Sequence, residues 1–220
     1  MNILQILVEY QEGFKNGLLV TTQLCLVIWT IGIICGSILG ILGSIFCKTI
    51  GFLIKLFNFL FSSIPVLVLL FWFHYPAQSI FSVNVNPFVT TVFTLGLINI
   101  FAIADIILVS IRDFPKNYLK TAQLTGLSKL KTIQYIQMPL ILRSVIPSIL
   151  STQIYILQAT LFASLISVDE VFRTAQRINS QIYRPVEIYS VLAILFVLIC
   201  VPANGFAIYL RHKYKNSSYV

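Results

Sequence analysis

The chain has 220 residues, 58% of them hydrophobic and 10% charged, with a formal net charge of +8. A soluble domain carries about a quarter charged residues, so this chain has too few polar side chains to clothe a water-facing surface and lipid must solvate much of it. Its basic residues sit between apolar runs rather than along one polar face, which argues against nucleic acid as a partner. The N-terminal stretch holds Glu9, Glu12 and Lys15 without a basic leader or a small-residue cleavage site, so no cleavable signal peptide is expected. Crossing the hydrocarbon core takes roughly twenty mainly apolar residues. Five segments qualify: Leu18–Phe46, Phe52–Tyr75 with Lys55 placed to snorkel, Pro87–Ile111, Ile146–Val168 and Ile188–Leu210. Gln153, Gln158 and Thr160 dilute the fourth. Cys25, Cys35, Cys47 and Cys200 lie in or beside these runs without metal-ligand spacing and read as small apolar residues.

Charge bias gives an orientation. The N-terminal tail is net −1, and the first connection is +2 through Lys48 and Lys55. The second connection, near residues 76–86, carries no charge. The third, Arg112 to Arg143, is +5, and the fourth, Asp169 to Glu187, is neutral. The tail is +3 from Arg211, Lys213 and Lys215. Basic residues thus concentrate in alternate connections, as the positive-inside rule requires of five spans. The expected topology places the N-terminus outside and the C-terminus in the cytoplasm.

The third connection is too ordered in pattern for a linker. Pro115 suits the first turn of a helix, and Gly126 suits its left-handed end. Ser128 suits the cap of a second short helix with an apolar stripe at Leu130, Ile133 and Ile136. Pro139 is expected to break that helix before the chain re-enters the membrane. Two short helices against the cytoplasmic face either rest on lipid headgroups or dock a soluble partner; physics alone leaves both readings open.

The run Lys120-Thr121-Ala122, then Gly126 after three residues, then Ile136-Gln137-Met138-Pro139 after nine more, resembles the EAA loop of ABC importer permeases. Gly126-Leu127-Ser128, Pro139, Arg143 and Pro147 resemble its polar amino acid version, and Phe61–Tyr75, Phe101–Ser110 and Leu161–Gln176 are similar to other segments of that family. The chain departs from the pattern in four places. Lys120 stands where the family has Glu, and Ser62-Ser63-Ile64 stands for Arg-Gly-Thr before Pro65. Thr125 stands for Leu before the glycine, and Gln158-Ala159-Thr160-Leu161 for Lys-Asp-Thr-Ser. Those departures suggest one half of a heterodimer whose partner keeps the family residues.

The resemblance implies an all-α integral membrane protein of five transmembrane helices, like the permeases of type I ABC importers. Residues 1–220 would form a single permease domain with a cytoplasmic coupling loop at 112–143. Lys120, Thr121, Ala122, Gly126, Leu127, Ser128, Ile136 and Pro139 would then meet an ATPase. The implied partners are two ABC ATPase subunits holding ATP and Mg, a second permease copy or paralogue, an extracytoplasmic solute-binding protein, membrane lipid and an amino acid substrate. The implied location is the bacterial cytoplasmic (inner) membrane, crossed several times. The chain itself carries no metal-ligand spacing, nucleophile–base set or phosphate loop, so neither enzyme activity nor a bound cofactor is expected of it. A stand-alone secondary transporter of small polar solutes is the rival, though about 220 residues leave little room for inverted repeats.

Residues within the spans suggest a substrate path. A carboxylate inside a span is costly against lipid, so Asp105 should face a wet cavity or a basic partner. Gln158 and Thr160 either bond to neighbouring helices or meet an amino acid's polar groups. Ser62 and Pro65 join the candidates, because Pro65 can kink the second span and free carbonyls there. His74 and His212 read as structural. The expected substrate is a polar amino acid, with a basic one favoured because Asp105, Asp169 and Glu170 could attract a cation.

Overall fold

The computed structural model describes residues 3–215, and among them the chain is helical with no strand. A short α1 (Ile3–Glu9) precedes α2 (Gln11–Ile45), whose 35 residues extend about 52 Å, well beyond the roughly 30 Å hydrocarbon core. Next come α3 (Ile50–Ser63), α4 (Val66–His74), α5 (Pro76–Ile80) and α6 (Pro87–Arg112). The third connection holds α7 (Lys116–Leu124) and α8 (Lys129–Thr132). A π-helical turn (Ile133–Gln137) then leads into α9 (Met138–Ala159) and a 3-10 stretch (Thr160–Ile166). The chain closes with α10 (Val171–Ile182) and α11 (Pro185–Lys215).

Four helical segments are long and apolar enough to cross a membrane: Gln11–Ile45, Pro87–Arg112, Lys129–Ile166 and Pro185–Tyr214. The third expected span agrees with α6 to within a residue. The second does not form one helix: Ile50–Ser63 and Val66–Ile80 meet at a 98° bend around Ile64–Pro65. Proline cannot donate the amide that would continue α3, and it drives the preceding residue into an extended conformation, here Ile64 at φ −99°, ψ 130°. The fourth span starts earlier than expected, because Pro139 does not end the helix. The π-helical turn before it widens the hydrogen-bond ladder and makes room for a residue without a donor. The connection therefore ends as a separate body near Ser128, and residues 129–143 belong to the long helix.

The core is organised by α2 against α6. Along α2 the buried positions Gly17, Thr21, Leu24, Ile28, Gly32, Gly36, Gly40 and Gly43 recur every three or four residues and form one face. A Cβ at Gly36 would lie 2.8 Å from the Ile100 carbonyl oxygen, and one at Gly40 would lie 2.7 Å from that of Ala104. The two backbones are in contact, with Ile103 and Ile107 filling the seam. Between helices in lipid there is no hydrophobic drive, so close packing of small residues supplies the attraction.

Buried amides extend this seam. Asn99 and Gln153 exchange hydrogen bonds at 3.1 and 3.2 Å, Asn99 also donates to the Ile28 carbonyl, and Trp29 Nε1 donates to the Gln153 carbonyl. Side chains of α2, α6 and α9 thereby close a polar network inside the bundle. At the other end of α6, Asn86 accepts from the Phe88 amide with Pro87 in the first turn. Gln78 bridges Thr90, His74 and the Val85 amide, pinning residues 75–86 onto the bundle. His74 is thus engaged structurally.

The seam yields a paired test. Gly36→Ala forces a methyl against backbone, an overpacking that costs about 1–3 kcal/mol, and should sharply lower the yield of monodisperse protein in detergent. Gly96→Ala, where a Cβ meets nothing within 4 Å, should leave that yield unchanged. Equal behaviour of the two variants would remove the seam from the account.

Candidate functional site: a coupling surface and a membrane path

The surface expected to face the cytoplasm is built from α7, one turn and α8. α7 ends in a Schellman turn: the Leu127 amide donates to the Ala122 carbonyl and the Gly126 amide to the Gln123 carbonyl, with Gly126 at φ +76°. Ser128 caps α8, its hydroxyl accepting from the Lys131 amide at 3.4 Å. The turn fixes the angle between the two short helices. Ala122 is buried, whereas Lys120, Thr121, Gly126 and Ser128 are exposed, and Leu127, Ile136 and Pro139 are half-buried. Around the turn Leu124 is 88% exposed and Leu130 74% exposed. Two bare leucines flanking a rigid glycine turn, beside exposed Lys120, Lys129 and Lys131, form an apolar knob in a basic frame. Beside it a cavity of about 280 Å³ opens between the end of α6, the start of α7 and α9, lined by Ser110, Asp113, Phe114, Tyr118, Ile141 and Ser144.

Within the spans the candidate residues fall into two groups. Asn58 and Ser62 lie four residues apart on α3 and share one of its faces, and Pro65 stands just beyond the helix end, at the break before α4. Asn58 Nδ2 donates to Asp105 Oδ2 at 3.0 Å, which joins Asp105 of α6 to that face. Ser62 and Pro65 are exposed, and the Ser62 hydroxyl returns to the Phe59 carbonyl. Phe57, Phe61 and Phe101 cluster one turn from Asp105, with Phe57 and Phe101 ring centroids 5.0 Å apart and Phe61 and Phe101 5.6 Å apart. Gln158 lies elsewhere, on a groove between α9 and α11 with Phe196, Cys200 and Asn204. Thr160 is fully buried and its hydroxyl bonds to the Leu157 carbonyl at 2.7 Å.

Sequence reasoning passed over Asn58, a solitary amide in an apolar run that deserved the weight given to Asp105. It also left Asn99 aside, and the glycine face went unread although its small-xxx-small spacing is a packing signal.

The chain's family follows from most of its length. Residues 31–216 match the family described as the inner membrane component of binding-protein-dependent transport systems. This chain belongs to that family. Among curated members it is 26% identical over 183 residues to the glutamine transport system permease protein GlnP of Escherichia coli K12, covering 80% of this chain and 83% of that one. It is 26% identical over 213 residues to the histidine/lysine/arginine/ornithine transport system permease protein HisM of the same strain, covering 90% of each. A crystal structure of an amino acid ABC transporter with histidines shares its fold at a TM-score of 0.84 and 21% identity, over 97% of this chain and 99% of that chain. The MetNI methionine ABC transporter, in inward-facing conformations, follows at a TM-score of 0.68 and 14% identity, over 94% and 98%. Membership establishes an inner membrane, multi-pass permease component with the all-α fold of type I ABC importer permeases.

The two acids ahead of α10 are both occupied. Asp169 is held by Arg173 at 3.1 Å and by Arg177. Glu170 is fully buried and caps α10, accepting from the Phe172 and Arg173 amides at 2.9 and 2.8 Å. Neither is free to attract a cation. Burial pushes the Glu170 carboxyl from 4.5 up to about 7, against the pull of the two amides and Arg173. Because the folded value is the higher one, the stabilisation this group offers is complete below pH 4.5 and is lost as pH rises to about 7. The thermal midpoint of the wild type relative to Glu170→Gln should therefore fall across that window. A difference independent of pH would show that the carboxyl titrates normally.

Proposed function

We propose that this permease forms one half of the membrane pathway of an ATP-driven importer for polar amino acids. It pairs with a second permease copy or paralogue, receives substrate from an extracytoplasmic binding protein, and docks two ABC ATPase subunits on its cytoplasmic surface. ATP hydrolysis, with its Mg, belongs to those subunits. The observation that carries the reading is the apolar knob at Leu124 and Leu130, set by the Gly126 turn and exposed next to the long helix Lys129–Ile166. A rigid knob continuous with a span converts displacement by a soluble partner into tilting of that span. Such a device pumps only if substrate and ATP have different affinities for the two arrangements of the spans. The kinship to GlnP and HisM supports amino acids as the cargo. The bent second span with its break at Pro65 and the Asn58–Ser62 face of α3, with Asp105 beside it, line the route, and Gln158 extends it in the groove against α11. Membership in a binding-protein-dependent family weighs against a stand-alone secondary carrier.

In this reading residues 1–220 are one permease domain, the N-terminus is outside and the C-terminus is cytoplasmic, because the +5 connection flanks the knob. In a cysteine-free background, a cysteine at exposed Gln123 should react with a membrane-impermeant maleimide only after the cells are opened. Labelling in intact cells would invert the topology.

The coupling role is tested at the turn. Gly126 sits at φ +76° with open space around it, so a side chain there meets no neighbour and only the backbone is strained, by about 1–2 kcal/mol. Gly126→Val should insert normally yet lose its ATPase on affinity purification. Retention of the ATPase with unimpaired transport would sink the coupling assignment.

A further inference from the structure

Three acids outside the cytoplasmic connection could meet a cation, and the structure separates them. Asp169 is paired with two arginines, and Glu170 is spent on capping α10. Asp105 is different. Its Oδ2 accepts from the Asn58 amide, while its Oδ1 is buried with no hydrogen-bond partner among the described residues. No Lys, Arg or His forms an ion pair with it among the described residues, where the ion pairs involve only Asp169 and Glu187. Buried polar atoms in folded proteins are almost always bonded, so an orphan carboxylate oxygen inside a span marks a missing partner.

The surroundings say what kind of partner fits. Asn58 donates to the carboxylate but cannot neutralise it. Aromatic rings lie nearby: Phe101 is one turn along the same face of α6, and Phe57 and Phe61 pack against its ring. A hard metal ion needs six or more oxygen ligands, which phenyl rings do not supply. An organic cation is suited by one carboxylate beside π faces. The residue as a whole is only half-buried, and its partner Asn58 shares a face of α3 with exposed Ser62, one turn on.

We infer that Asp105, with Asn58 and the Phe57, Phe61 and Phe101 rings, is a transit site for the ammonium or guanidinium group of a cationic amino acid. This rests on the importer reading above. The fixed negative charge discriminates against acidic amino acids by repulsion and against neutral amides by leaving the carboxylate unpaired.

The test uses the assembled transporter in liposomes and the hydrophobic reagent dicyclohexylcarbodiimide, which modifies carboxyls within membranes, with adducts located by peptide mass spectrometry. Arginine at about ten times its dissociation constant should slow modification of Asp105 roughly tenfold, whereas glutamine and glutamate should not. Equal protection by glutamine, or none by arginine, overturns the site. Labelling is run at mildly acidic pH, where carbodiimide meets the protonated carboxyl. An Asp105 that stays unreactive there with or without arginine also overturns the site, since a group closed to a small reagent or already paired with a base cannot receive the substrate's cation. ATP-driven uptake by the same liposomes keeps the two readings apart. Uptake with Asp105 unprotected sinks only this site, whereas no uptake of any amino acid sinks the importer reading. Per assembled complex, Asp105→Asn should lose arginine uptake selectively over glutamine uptake, and Asp105→Glu should retain it. Equal loss of both substrates in Asp105→Asn would count against the site.

Discussion

The backbone contact between α2 and α6 is the constraint on which the other packing depends. Gly36 and Gly40 let α2 meet the α6 backbone directly, Gly32 leaves room for the Asn99 side chain, and Gly43 for Ile54 of α3. That approach brings the Ile28 carbonyl within reach of Asn99, and Asn99 in turn orders Gln153 on α9. Because lipid offers no hydrogen bonds, an amide within the bundle must find its partners there. With α6 held on two sides, its remaining face is presented to α3, and Asp105 meets Asn58.

Polar groups in the membrane thus serve two ends. Asn99, Gln153, Trp29 and Thr160 are satisfied and hold helices together. Asp105 is half satisfied, and the broken span beside it interrupts the ladder at Ile64–Pro65. A helix broken within a span leaves backbone groups that only protein or a wet cavity can accommodate, so the unsatisfied carboxylate and the break belong to the same region. Rigid seam on one side and broken helix on the other is the distribution of stiffness expected of a transporter, in which one part moves past a fixed frame.

Much of this was legible in the sequence. Composition and charge bias gave the membrane class and the number of apolar segments. The Gly126 turn and the Ser128 cap were readable because both depend on local backbone chemistry, in a left-handed glycine and an amide in need of an acceptor. The failures have physical causes. Pro139 reads as a break only if the ladder before it is α-helical; the π-helical turn at Ile133–Gln137 depends on how residues upstream settle, which local propensity does not reveal. Pro65 was read as a kink, but the 98° bend requires α4 to pack on α6, a tertiary fact. Glu170 was counted among acids that could attract a cation, because its burial depends on α10 lying against Gly17 and Thr21 of α2, distant in sequence.

In the importer reading proposed above, the seam, the knob and the broken span form a machine whose moving helices respond to a partner in the cytoplasm and to cargo delivered from outside. Its most direct test is whether the outer face speaks to the inner one. ATP hydrolysis by the complete complex in nanodiscs should rise several-fold when the amino-acid-loaded binding protein is added, and should not rise with the empty binding protein at equal concentration. Hydrolysis indifferent to the loaded binding protein, alongside amino acid movement driven by an ion gradient through this chain alone, would contradict the account.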